Sequence, residues 1–219
     1  VSIVSYAADT RVRLAPTPVS ERGTIIAQID ALSAGGSTAG ASGIDLAYAQ
    51  ASAGFIDGGT NHVILCTDGD FNVGPSSTTA LLELIREKRR SGVTLTALGF
   101  GIGNLNDAML QAVSNAGNGF HGVISSEGQA AEYVRERMLS TLTLIARDVK
   151  LQVEFNPQKV FAYRLLGYEN RAIADDDFRD DIVDAGEIGA AHQVTALYEL
   201  ALQSADLPKP ENAPDSVGG

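Results

Sequence analysis

The stretch NHVILCTDGD at residues 61–70 joins a run of apolar side chains to a short polar loop. The run at 61–67 is nearly continuous, which predicts a parallel strand buried on both faces. A second such run, VTLTAL at residues 93–98, follows a segment with leucines at helical spacing. Strands and helices that alternate in this way predict an α/β fold with a doubly wound, mainly parallel sheet.

Other segments extend this pattern. Strands are predicted at residues 1–6 (VSIVSY) and 121–124, and helices at residues 105–116 and 130–146. Ser20 is predicted to cap the helix that follows the first strand.

The pattern changes after residue 147, where strand-type runs follow one another without long helices between them. We therefore expect a small antiparallel β unit with strands at 149–155, 160–166 and 192–200. The predicted divisions are 1–147 for the α/β domain, 148–202 for the β-rich region and 203–219 for a polar tail rich in Pro and Gly.

Composition excludes several classes of protein. The chain carries 16 Lys and Arg against 27 Asp and Glu, a net charge of −11, which disfavours nucleic acid and anionic membranes as partners. None of its apolar runs approaches the about 20 residues of a membrane helix. The single Cys66 cannot form an internal disulfide, and its apolar neighbours predict a buried side chain.

Common enzyme motifs are missing from the sequence. The glycines at 99–103 follow G-x-G-x-G and not the G-x-G-x-x-G of dinucleotide folds, and neither a P-loop nor a nucleophile elbow occurs. The acidic run at 175–184 lacks EF-hand spacing and is interpreted as a solvated loop. The basic cluster at 86–90 ends a predicted helix, where it complements the helix dipole; a phosphate or partner site is the alternative.

Two polar loops remain, GGSTAG at 35–40 and TDGDFN at 67–72, each at a place where doubly wound folds bind ligands. Their hydroxyl and carboxylate oxygens suit a hard cation such as Mg²⁺. The alternative is that Thr38 only caps the next helix and Asp68 only closes a turn.

The segments AGGSTAGASGIDLAYAQA (34–51) and VILCTDGDFNVG (63–74) resemble two of the three elements of the metal-ion-dependent adhesion site of von Willebrand factor type A domains. The resemblance implies Thr38 as a direct metal ligand and Asp68 as a carboxylate that holds the metal mainly through water. It places Ser37, Asp70 and Asn72 at the rim.

The resemblance implies a non-enzymatic, adhesion-type domain whose Mg²⁺ leaves a coordination position open for an acidic side chain of a partner protein. A structural scaffold with a vestigial site and a metal-dependent hydrolase are the alternatives. Residues 148–171 and 180–200 are similar to the β-rich region of a bacterial subfamily of such proteins, which implies a location in the cell envelope.

The third element of that site, a D-x-S-x-S loop after the family's central strand, has no counterpart in the 219 residues. We therefore expect the strands at 1–6 and 61–66 to lie apart, with a gap that an upstream segment, a second copy or a swapped strand fills. We also expect Mg²⁺ to bind weakly or not at all to this chain alone, because too few ligands are present.

Overall fold

The computed structural model describes residues 1–7, 9–33, 35, 40–68, 78–101, 105–137, 144–167, 173–174, 177–180, 186–190 and 193–203. The chain divides into two units, Val1–Ile145 and Ala146–Gly219. The first contains, in chain order, β1 (Ile3–Ser5), β2 (Arg11–Leu14), a 3₁₀ turn (Val19–Glu21), α1 (Arg22–Asp30), α2 (Gly40–Ala53), β3 (His62–Thr67), α3 (Thr78–Arg89), β4 (Thr94–Phe100), α4 (Asp107–Ala116), β5 (His121–Ile124), and α5 (Glu127–Glu132), which continues into a π-helical turn (Tyr133–Arg137). No helix in the described ranges is long and apolar enough to cross a lipid bilayer.

A parallel sheet of order β3-β4-β5 forms the centre of this unit. Thr67 lies opposite Gly99, and Phe100 lies opposite Ile124, so the strands end at one common edge. The parallel α/β architecture predicted from the alternating pattern is confirmed.

Three helices cover one face of the sheet. Their apolar side chains form the core with alternate residues of β3 and β4, and the principal members are Ile44, Tyr48, Val63, Leu65, Leu81, Ile85, Leu95, Ala97, Met109, Leu110 and Val113. On the opposite face Tyr133 lies against Gly122 of β5. The helical segment after β5 therefore covers the β5 side of that second face.

The prediction that β3 is buried on both faces is wrong. Val63, Leu65 and Thr67 are buried, but Ile64 between them is 43% exposed and the Cys66 side chain is also exposed. The strand buried on both faces is β4. β3 lies at the sheet's edge. The covering helices pack against its odd-numbered side chains only, and because side chains alternate between the two faces of a strand, the even-numbered side chains stay uncovered.

β1 and β2 form a separate antiparallel hairpin, with Ser5 opposite Arg11. As expected, β1 does not pair with β3. The C=O of Asn61 accepts from the N–H of Thr94, so the backbone groups of the odd-numbered residues of β3 point toward β4. Those of the even-numbered residues point away from β4, toward the outer edge of the sheet. No strand in the described part of the chain pairs with that outer edge.

Two predicted helix boundaries are wrong. Ser20 lies within the 3₁₀ turn, and α1 begins at Arg22 after Glu21 without a side-chain cap. The helix predicted at 130–146 starts earlier, at Glu127, where the Ser126 side chain accepts from the N–H of Gln129. It is not continuous to 146, because a strand begins at Leu144.

The strands of the β-rich region are β6 (Leu144–Val149), which begins just before the division, β7 (Val160–Leu166), β8 (Gly186–Gly189) and β9 (Leu197–Leu202). β6 pairs with β8, and β7 pairs antiparallel with β9. The strand predicted at 160–166 is confirmed. Those predicted at 149–155 and 192–200 are displaced, since 151–156 and 193–196 are irregular and the strands lie at β6 and β9.

Aromatic contacts and ion pairs join the described strands of the second unit. The ring of Phe155 lies 4.8 Å from that of Tyr163 and 5.3 Å from that of Tyr198. On β7, Arg164 Nε donates to Glu199 Oε2 of β9 at 2.8 Å. Lys150 donates to the backbone carbonyls of Asp177 and Asp180, which anchors the described part of the acidic run.

Candidate functional site

Asp68 lies directly after β3, at the carboxyl edge of the parallel sheet, and its side chain is exposed. Gly101 follows the neighbouring strand β4, and a Cβ added there would lie 3.9 Å from the Asp68 carbonyl oxygen. Gly101 has φ +105°, a conformation that favours glycine. The two strand ends therefore meet at an open, polar edge, where parallel α/β sheets bind ligands.

The first turn of α2 also belongs to this site. α2 begins at Gly40, two residues after Thr38, and Ser42 in that turn exchanges a hydrogen bond of 3.0 Å with Thr10 Oγ1. Thr10 lies in the turn between β1 and β2. The hairpin is thus attached by its hydroxyl group to the helix that follows the Thr38 loop.

Tyr6 contacts both α2 and β3. Its hydroxyl donates to the backbone C=O of Cys66 and is also hydrogen-bonded to the side chain of Thr67. Its side chain lies so close to Gly43 that a Cβ added there would be 2.6 Å from Tyr6 Cβ and 2.8 Å from Tyr6 Cγ. Burial, assisted by the negative charge of Asp68, raises the pKa of Tyr6 to about 12, so the hydroxyl keeps its proton at neutral pH.

The structure accounts for only part of the predicted site. It places Asp68 at the sheet's edge, whereas Thr38, Ser37, Asp70 and Asn72 lie outside the described residues. That Thr38 and Asp68 face one cation therefore stays a prediction. Sequence analysis did not identify Tyr6. The available signal was its position as a polar aromatic residue at the end of the first predicted strand.

Asp68 is the carboxylate that the described residues offer to a cation at this edge, and they include no group of three His, Cys, Asp or Glu able to hold a metal. Mg²⁺ requires near-octahedral oxygen coordination, for which one carboxylate and neighbouring hydroxyls are too few ligands. The described residues alone do not fit a complete Mg²⁺ site, so any such site needs ligands from elsewhere.

The basic end of α3 makes contacts inside the unit. Lys88 Nζ lies 2.8 Å from Asp45 Oδ1 of α2, and Arg89 donates to Asn118 Oδ1 in the turn before β5. Asn118 has φ +51°. These contacts join the end of α3 to its neighbours, which favours the structural interpretation of the cluster.

Two histidines are described, and they lie apart on different strands. His62 shares a hydrogen bond with Thr94 Oγ1, and its buried Nε2 has no partner among the described residues. Burial lowers the pKa of His62 to about 4. His121 Nε2 lies 3.6 Å from Asp107 Oδ1. His192 lies outside the described residues.

Comparison with known proteins agrees with this architecture. The model of the von Willebrand factor type A domain family matches residues 1–137, and that of "Uncharacterized protein YfbK, C-terminal" matches residues 140–213. The chain is 43% identical over 218 residues to "Uncharacterized protein YfbK" of Escherichia coli K12. The match covers 99% of this chain and 38% of that relative, so the chain spans less than half of its length.

Among solved structures, a von Willebrand factor type A protein from Catenulispora acidiphila superimposes with a TM-score of 0.51 at 22% identity, over 67% of this chain and 34% of that one. The conserved hypothetical protein BatB from Bacteroides thetaiotaomicron gives 0.45 at 20% identity, over 61% and 74%. The chain belongs to the von Willebrand factor type A domain family. Its β-rich second unit corresponds to the C-terminal region of YfbK.

Proposed function

We propose that this region is a non-enzymatic protein-binding module whose contact site is the carboxyl edge of the parallel sheet around Asp68. Domains of its family mediate protein interactions and often bind divalent cations. In our proposal Thr38 and Asp68 contribute to one Mg²⁺ site, Ser37, Asp70 and Asn72 form its rim, and residues beyond these 219 complete it. The cell envelope is the proposed location.

The observation that carries the proposal is the meeting of two chain segments at this edge. Asp68 directly follows β3, and α2 begins at Gly40, two residues after Thr38. Tyr6 contacts the end of β3 and the first turn of α2 simultaneously. The helix that follows the Thr38 loop and the strand that precedes the Asp68 loop are therefore neighbours.

Charge supports a cation at the contact. The chain has a net charge of −11, so an acidic partner would be repelled by the protein itself. A divalent cation held by few carboxylates keeps positive charge and exchangeable water positions. A carboxylate of the partner can replace one such water, which makes an acidic side chain the expected contact.

The proposal is tested with a longer protein that includes the residues upstream of Val1. Asp68→Asn removes the charge at the predicted site, and Asp57→Asn is the matched control in an exposed loop. We expect Asp68→Asn to weaken Mg²⁺ binding at least tenfold and the control to leave it unchanged. Equal Mg²⁺ binding by both variants would exclude this site, and binding by neither variant nor the parent would favour a scaffold with a vestigial site.

A further inference from the structure

We propose that Tyr6 is the positioning residue of this site, which sets the separation between the first turn of α2 and the carboxyl end of β3. The inference rests on the proposed function, since it concerns the same pair of loops. It adds a residue that belongs to neither ligand loop.

The side chain of Tyr6 packs directly against the first turn of α2. Gly43, the fourth residue of α2, is buried, and a Cβ there would lie 2.6 Å from Tyr6 Cβ and 2.8 Å from Tyr6 Cγ. Real Cβ atoms do not approach other heavy atoms so closely, so only glycine fits at this contact. The base of the Tyr6 side chain, its Cβ and Cγ, therefore packs directly against the helix backbone, three residues beyond the start of α2.

The hydroxyl of Tyr6 contacts the carboxyl end of β3, the second of the two elements whose separation it sets. Cys66, whose C=O accepts from it, is the last residue of β3 with backbone groups on the outer edge. Thr67, which also bonds the hydroxyl, is buried and directly precedes Asp68. Two hydrogen bonds to consecutive residues restrain the strand end from which the Asp68 loop departs.

A space-filling role would need only the ring, and phenylalanine would satisfy it. The hydroxyl distinguishes tyrosine from phenylalanine here, because a protonated phenol can donate to the Cys66 carbonyl and also bond the Thr67 hydroxyl. The Thr10–Ser42 hydrogen bond holds the same hairpin to the same helical turn. Tyr6 is thus a polar connection between the hairpin and the elements around the site, and it reaches β3.

The test uses the 219-residue chain and Mn²⁺, a paramagnetic hard cation whose weak binding is visible as broadening of nearby amide signals in NMR spectra. Tyr6→Phe keeps the ring and removes the hydroxyl. Tyr163→Phe is the matched control, because Tyr163 lies in the second unit among Phe155 and Tyr198. Asp68→Asn tests the site itself.

We expect the parent chain to show broadening centred on Asp68, Tyr6→Phe to reduce it at least threefold at equal Mn²⁺, and Tyr163→Phe to leave it unchanged. Parent-like broadening in Tyr6→Phe, with loss in Asp68→Asn, would overturn the role of Tyr6 and leave the proposed function intact. Absence of broadening at Asp68 in the parent would mean that the short chain alone holds no cation, as expected of an incomplete site, and the metal-free measurement then decides the role of Tyr6.

A metal-free measurement decides the inference in that last case. In Tyr6→Phe the amide signals of Asp68 and Ser42 should shift together, because one side chain holds both segments. Unshifted amides in Tyr6→Phe would overturn the inference whatever the metal does.

Discussion

At the scale of single residues, Tyr48 combines deep burial with an unused polar group. Its side chain is 1% exposed in the core, and its hydroxyl has no hydrogen-bond partner among the described residues. A buried hydroxyl without a partner costs about 1 kcal/mol or more. We expect Tyr48→Phe to leave the free energy of unfolding unchanged or raise it by up to about 1 kcal/mol, as measured by urea denaturation.

The companion variant Tyr48→Ala removes the ring and should destabilise by about 3–5 kcal/mol, because it leaves a cavity between α2 and the sheet. If Tyr48→Phe instead cost more than about 1 kcal/mol, the hydroxyl would have a partner and this description of the core would be wrong.

His62 predicts a dependence of stability on pH. Unfolded His62 takes up a proton near pH 6.5, whereas the folded protein does so only near pH 4 because the ring is buried. Between these values the unfolded state binds more protons, so the stability that His62 contributes is complete above pH 6.5 and falls as the pH drops toward 4. Unfolding measured at about pH 7 and about pH 5 should show a smaller loss in His62→Gln than in the parent.

His121→Gln is the control, since His121 is partly exposed beside Asp107. Because His62 is intact in the control, its stability should fall between the two pH values as much as that of the parent does. A loss of stability identical in His62→Gln and the parent would show that the ring of His62 is not protected from protonation.

At the scale of elements, the turn between α4 and β5 packs against the backbone of β4. A Cβ at Gly119 would lie 2.0 Å from the Leu95 carbonyl oxygen, whereas nothing lies within 4 Å of the same position at Gly23 in α1. We expect Gly119→Ala to destabilise by more than about 2 kcal/mol, because a strand backbone in the core cannot move aside. Gly23→Ala should stabilise by about 0.5 kcal/mol through helix propensity.

Thermal or urea unfolding of the two variants measures both effects. Equal stabilities of Gly119→Ala and Gly23→Ala would mean that the α4–β5 turn does not lie against β4 as described.

The elements also show what sequence could and could not predict. β4, α4, β5 and β7 were predicted to within one or two residues, because their apolar spacing and local capping signals depend on their own residues. The burial of β3 was mispredicted, because an apolar run does not reveal whether a helix covers its second face. The start of β6 was predicted as the end of a helix, since its few apolar residues fit both the helical and the strand period.

The position of Asp68 at the sheet's edge was predictable from the sequence, whereas its part in a cation site stays a prediction. Asp68 was found because a short polar loop directly follows a strand, a relation that is visible in the sequence. Tyr6 was not found, because its contacts with Cys66 and Gly43 join residues about 60 and 37 positions away, and only the packing of the hairpin on α2 and β3 brings them together.

At the scale of the whole molecule, the first unit leaves apolar surface uncovered beside the open edge of β3. Ile64 of β3 is exposed on the face of the sheet that the helices leave uncovered. An unpaired edge next to exposed apolar side chains favours association with another segment. We expect a longer protein that includes the upstream residues to protect the amides of His62 and Ile64 from hydrogen exchange more strongly than the 219-residue chain does.

Equal exchange rates at His62 and Ile64 in both proteins would show that no upstream segment covers this edge. The amides of Val63 and Leu65 are the internal control, since their N–H groups point toward β4 in both proteins.

The central claim is a cation site at the carboxyl edge of the sheet that Asp68 helps to form and residues outside the 219 complete. Calorimetric titration of Mg²⁺ into the 219-residue chain, beside a longer protein that supplies a D-x-S-x-S loop, tests it most directly. The account predicts weak or undetectable binding by the short chain, clear binding by the longer protein, and loss of that binding in Asp68→Asn. Micromolar binding by the short chain, or binding by the longer protein that Asp68→Asn leaves intact, would contradict it.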